Sequence, residues 1–109
     1  MLGLKDSDIA TIQEVLAQFP EVQSALVFGS RAKGTHRNGS DVDIALKGGA
    51  LSYQTVIQIA SILNEETLMP YQFDIIDYND IQNTNLIEHI DRVGQVIYDK
   101  EAQAVERGR

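Results

Sequence analysis

Over residues 7–19, Ile9, Ile12, Leu16 and Phe19 fall at three- and four-residue steps, the spacing of an amphipathic helix lying on a core. Ser7 or Asp8 supplies a capping oxygen, and Pro20 ends the helix. The next run, residues 22–28 (V-Q-S-A-L-V-F), is short, largely apolar and rich in β-branched and aromatic members, and it stops at Gly29. That pattern predicts a buried strand. Residues 29–40, GSRAKGTHRNGS, hold three Gly, two Ser, a Thr and an Asn, the composition of a turn-rich connection. Its start, residues 30–33, is able to form one helical turn. Residues 41–46 then alternate, with Val42, Ile44 and Leu46 on one face of a strand and Asp41, Asp43 and Ala45 on the other. Gly48 and Gly49 close it. Ser52 caps a second helix running to about Thr67, with Val56, Ile59, Ala60 and Leu63 as its core stripe. Residues 71–78 predict a third strand. Residues 80–93 predict a third helix, with Leu86, Ile87, Ile90 and Val93 inward and Gly94 at C′. Residues 96–98 add a short strand.

The order α-β-turn-β-α-β-α-β describes an α/β (α+β) domain with one central sheet flanked by helices. The connection at 29–40 is too short for a crossover helix, so the first two strands are expected to be antiparallel neighbours in a mixed sheet. Nothing divides the chain. Residues 1–98 are expected to form a single domain and residues 99–109 a polar C-terminal tail.

Composition narrows the classes of function. The chain has 109 residues, no Cys and a net charge of −7, which excludes a disulfide scaffold, a thiolate nucleophile and Cys-based metal sites. No apolar run approaches the ~20 residues of a membrane span. Residues 1–20 lack the layout of a signal peptide, and the expectation is a cytoplasmic protein without a membrane. The acidic balance argues against direct nucleic-acid binding, which needs many phosphate-neutralising cations. Yet three of the nine basic residues, Arg31, Lys33 and Arg37, cluster within seven positions with no acid between them. A basic island in an acidic chain calls for an explanation.

The chemistry sits in Gly29-Ser30, ten residues, then Asp41-Val42-Asp43. Gly29, lacking a Cβ, lets a ligand approach the backbone closely. Ser30, at the head of a turn, offers a hydroxyl and N–H groups to a phosphate oxygen, and Arg31, Lys33 and Arg37 add positive charge. Asp41 and Asp43, at i and i+2 on a strand, share a face and repel each other. A hard divalent cation relieves that repulsion. A phosphate cradle beside paired carboxylates suits metal-assisted phosphoryl or nucleotidyl transfer. The bland alternatives are solvated strand-edge charges for the two Asp and a solvated loop for the basic cluster. Asp77 and Asp80 read as turn or N-cap residues. His36 reads as an exposed loop residue and His89 as a helix-surface residue.

With GSRAKG leading in, DVDIAL leading out and F-D-I-I-D downstream, the chain resembles the minimal nucleotidyltransferases of the DNA polymerase β superfamily. The resemblance runs from the first helix to about Tyr98 and is strongest at residues 28–46. It implies the polymerase β-like fold, with a third carboxylate at Asp74, competing with Asp77 three residues on. It further implies two Mg²⁺ ions held by Asp41, Asp43 and Asp74, and ATP as donor, its triphosphate contacted by Gly29 and Ser30 with Arg31 and Lys33 beside them. Lys33 and His36 depart from the family, where Arg and a small residue are frequent. Lys33 keeps the charge but not the bidentate fork.

Relatives of this size often accompany a small helical HEPN-type toxin. The implied role is that of an antitoxin that adds AMP to a tyrosine of that partner. The length agrees, since no segment is left over to bind an acceptor. Two alternatives stay open: a binding subunit that neutralises a partner by contact, and a small-molecule nucleotidyltransferase completed by another subunit.

Overall fold

The computed structural model describes residues 2–37 and 41–102. The expected elements follow in order: α1 (Asp6–Ala17), β1 (Ser24–Phe28), α2 (Ser30–Lys33), β2 (Val42–Lys47), α3 (Tyr53–Glu65), β3 (Phe73–Asp77), a 3₁₀ turn (Tyr78–Asp80), α4 (Thr84–Val93) and β4 (Gln95–Asp99). The connection expected at 29–40 falls outside the described residues in its last three positions, as does the tail expected at 99–109 from residue 103 on.

The four strands lie in the order β3-β2-β1-β4. β1 runs antiparallel to β2 and to β4, and β2 runs parallel to β3, so the sheet is mixed. β2 alternates as expected. Val42, Ile44 and Leu46 are fully buried in the main core with Ile12, Leu16, Ile59, Leu63 and Phe73, which places α1 and α3 on that face. On the opposite face Ala45 packs with Phe28 and Ile90 in a smaller cluster under α4. All three of the strand's remaining positions, Asp43, Ala45 and Lys47, are buried or partly buried, and the sheet carries helices on both sides.

Element ends differ from expectation for local reasons. α1 starts at Asp6, ahead of both proposed caps, and Asp8 instead accepts the Lys5 N–H at 3.1 Å from within the first turn. Ser52 caps α3 as expected, accepting the Thr55 N–H. The helix expected over 80–93 separates into the 3₁₀ turn and α4, because Asn83 takes the N-cap role and accepts from the Asn85 and Leu86 amides. Asp77 caps the 3₁₀ turn through the Asn79 N–H, in keeping with its reading as a turn residue. Gly94 ends α4, but not with the left-handed backbone of a C′ glycine: its φ is −59°. Its need for glycine is one of space, since a Cβ there would press on the Ile90 carbonyl and the Leu26 side chain. This close approach fastens α4 to β1.

Candidate functional site

The site forms where β1 ends and β2 and β3 begin. Because β2 and β3 are parallel and in register, Asp43 is the strand partner of Asp74. Because β1 and β2 are antiparallel, Asp43 is also the partner of Phe28, the residue before Gly29. Topology thus brings together three segments separated by tens of residues. Gly29 has φ +75° and ψ −150°, backbone that L side chains rarely adopt, and a Cβ there would run into the Asp43 carboxylate. Glycine is required here twice over. The single turn α2 follows, opened by Ser30, with the Lys33 amide donating to the Gly29 carbonyl at 3.1 Å. Gly34 closes it in the left-handed conformation, φ +79°.

Asp41 and Asp74 are exposed and Asp43 is half-buried. Partial burial, first, and then the negative charges of Asp74 and Asp41 push the Asp43 carboxyl above its ordinary range; Arg31 pulls it back in part. The ionised site is therefore frustrated in the absence of a counter-charge. Among the described residues, no group of three or more Asp, Glu or His side chains is already drawn up around a common ion position. The residues nonetheless fit a divalent cation on two grounds. The donors are hard carboxylate oxygens whose mutual repulsion a cation would relieve, and the glycine leaves open the space beside Asp43 that a Cβ would fill.

The basic island divides. Lys33 and Arg37 are exposed, whereas Arg31 is only 3% exposed. The Arg31 Nη1 donates to the Leu2 carbonyl at 3.0 Å and Nε to the Asp41 carbonyl at 3.2 Å, with Cζ 4.9 Å from the centre of the Tyr71 ring. Tyr71 in turn donates its hydroxyl to Asp8 of α1 at 2.9 Å. The Arg31 side chain, expected beside a triphosphate, is thus turned under the loop, where it braces the backbone of Asp41 against the N-terminal segment and faces Asp43 electrostatically. His36, expected exposed, is half-buried beside Gly3, and its Nδ1 has no hydrogen-bond partner among the described residues.

His89 is the residue that sequence reasoning placed wrongly. It is half-buried, not on the helix surface, and its Nε2 accepts the Gly29 N–H at 3.0 Å. In sequence it stands between Glu88 and Ile90, and nothing in that setting says what lies opposite. Only the packing of α4 over β1 makes the contact. An apolar groove of about 430 Å³ between α3, β3 and α4, lined by Tyr53, Val56, Ile75 and Leu86, includes none of the three candidate carboxylates.

The family described as "Polymerase beta, Nucleotidyltransferase" matches residues 10–103. No curated protein matches the chain in sequence. Among solved structures, a toxin–antitoxin crystal structure with AMP-PNP superposes with a TM-score of 0.68 at 23% identity, covering 94% of this chain and 83% of the other. A tri-AMPylated Shewanella oneidensis HEPN toxin in complex with MNT antitoxin gives 0.68 at 19%, covering 92% and 76%. A crystal structure from Sulfolobus solfataricus gives 0.51 at 20%, covering 93% and 95%. At these identities the likeness to the three structures is one of fold. No helix among the described residues is long and apolar enough to cross a membrane.

Proposed function

The chain belongs to the polymerase beta nucleotidyltransferase family, and on that premise we propose that it transfers AMP from ATP to a hydroxyl of another protein, a tyrosine of a HEPN-type toxin that it thereby neutralises. One observation carries the reading: the register that sets Asp74 opposite Asp43, with Gly29 against the same carboxylate. Neighbours of the same fold, one crystallised with AMP-PNP and one with an AMPylated HEPN toxin, support the choice of donor and acceptor.

In this reading the nucleotide's phosphates lie along Gly29 and Ser30, with Lys33 exposed at the end of the turn to meet their charge. Asp41, Asp43 and Asp74 would hold Mg²⁺, two ions by the resemblance, which when bound neutralises phosphate charge and polarises the α-phosphate. Asp74, the exposed member of the cross-strand pair, receives the proton of the attacking tyrosine hydroxyl. The tyrosine oxygen bonds to the α-phosphorus as the bond from that phosphorus to the bridging oxygen breaks, and pyrophosphate leaves.

The test is incubation with labelled ATP and Mg²⁺, with and without the co-purifying partner, read by gel and intact mass. Label on the partner that disappears with Asp41→Asn or Asp43→Asn is the expected result. An unlabelled partner that the doubly substituted chain still neutralises would instead establish neutralisation by contact.

A further inference from the structure

Gly29 is the pivot of the site, yet its sequence neighbourhood does not explain what holds it. A glycine at φ +75° has ready access to other backbone basins, and rotation of its peptide would move Ser30 relative to Asp43. The structure holds it from α4, which packs on the sheet face shared by Ala45 and Asp43. The His89 Nε2 accepts the Gly29 N–H at 3.0 Å, which keeps that amide turned toward α4. The ring is itself fixed. It stands edge-on to Phe28, with centroids 6.2 Å apart at 79°, and the next residue, Ile90, is fully buried against Phe28 and Ala45. One turn later, α4 is locked to β1 at Gly94. His89 is therefore a strut from a rigid helix to the most adaptable residue of the loop. An acceptor Nε2 requires the neutral ring with its proton on Nδ1.

We infer that His89 is a positioning residue for the nucleotide: by accepting the Gly29 N–H, it holds the Gly29-Ser30 backbone in the shape that receives the phosphates. The inference rests on the nucleotidyl-transfer reading above and adds to it a residue outside the motif. His89 does not touch the nucleotide. It acts through Gly29, and what matters is its hydrogen-bond acceptor, not its bulk.

His89→Phe keeps a ring against Phe28 and removes the acceptor, whereas His89→Gln offers a carbonyl oxygen in its place. The measurements are the Kd for Mg²⁺-ATP by calorimetry, Tm without nucleotide, and hydrogen exchange of the Gly29 amide in the apo protein. His89→Phe is expected to weaken Mg²⁺-ATP binding about tenfold, the equivalent of one neutral hydrogen bond's contribution. It should also speed Gly29 exchange and lower the nucleotide-free Tm by no more than about 5 °C, the share of that one bond. His89→Gln is expected to recover most of the affinity. The inference is overturned if His89→Phe binds Mg²⁺-ATP as tightly as wild type. It is equally overturned if Phe and Gln weaken binding alike, which would make the ring's shape and not its acceptor the cause. A wild-type chain that binds no Mg²⁺-ATP at all would remove the transfer reading and this role with it. Tight wild-type binding with an indifferent His89 would remove this role alone.

Discussion

Arg31 offers a sharp test of how the site is built, because two roles for it predict opposite outcomes. If its guanidinium braces the loop from below, Arg31→Met unfolds the protein more readily; if it faces phosphate, the same change leaves stability intact and weakens nucleotide binding only. The structure supports the brace. Two hydrogen bonds from a charged donor, to the Leu2 and Asp41 carbonyls, are worth roughly 1.5–3 kcal/mol each, and their loss leaves carbonyls that the buried setting cannot rehydrate fully. The contact over Tyr71 adds roughly 0.5–2 kcal/mol. Against these stand the desolvation of the buried charge, which Met abolishes, and the apolar contact that Met restores. A net loss of about 3 kcal/mol follows, on the order of half the sum. A domain of 109 residues has an unfolding entropy of roughly 0.23 kcal/mol/K, so Tm should fall by about 13 °C. Scanning calorimetry of Arg31→Met beside Lys33→Met reads the difference, because the exposed Lys33 should shift Tm by no more than about 2 °C. The guanidinium also helps keep Asp43 ionised. Its removal raises the Asp43 pKa further, and the acid limb of the activity profile moves to higher pH. An Arg31→Met chain within about 2 °C of wild type, with a normal acid limb and weakened nucleotide binding, would refute the brace.

Three further outcomes follow from the same geometry. Asp43→Asn should stabilise the apo protein at pH 7 by about 0.5 kcal/mol, roughly 2 °C, because it removes like-charge repulsion across the strand pair in a group still partly screened by solvent. The sign with pH is set by the raised folded-state pKa: ionised Asp43 disfavours folding above that value, so the advantage of Asn shrinks as pH falls through it. The advantage vanishes below the ordinary value of 3.8, as thermal melts across pH 3–8 would show; at pH 7 the same variant should lose its Mg²⁺-ATP stabilisation. Gly29→Ala should lower stability by roughly 1–3 kcal/mol, since alanine is strained at φ +75° and its methyl meets the Asp43 carboxylate, and urea denaturation measures it. Asn64→Ala should cost roughly 1–3 kcal/mol, because the Asn64 side chain both donates to the Phe73 carbonyl at 3.0 Å and accepts the Phe73 N–H at 2.7 Å. That change should also reduce turnover by loosening the start of β3, where Asp74 sits.

What could be read from the chain was whatever a local pattern determines. Alternation over residues 41–46 established which face of β2 is core, and the shortness of the Gly29–Asp41 connection established that β1 and β2 are antiparallel. Asp43 and Asp74 could be paired only through the family resemblance, since nothing local says that β2 and β3 are parallel and in register. The polar contacts that span the fold left no trace. Arg31 and Lys33 sit two apart in one glycine-bounded run, yet a single helical turn separates their directions and sends one inward and one to solvent. Asn64 sits inside a helix pattern where nothing marks it as a clamp on a strand nine residues away. His89 looked like the polar face of α4 because the partner that claims it is a backbone amide sixty positions earlier.

Arg31 and His89 share a consequence for how such a site tolerates itself. Carboxylates brought together at these strand ends repel one another, and the upward push on the Asp43 carboxyl, from burial first and then from Asp74 and Asp41, shows that this pressure exists. The fold sets the buried Arg31 close by, bonded to the Leu2 and Asp41 backbone carbonyls, so that its charge acts on Asp43 while two of its donors hold the backbone. It ties Gly29 through a neutral imidazole, which adds rigidity without adding a second competing cation. The basic island in this acidic chain therefore divides: the Arg31 charge acts on Asp43 from within the fold, while Lys33 stays exposed at the end of the turn.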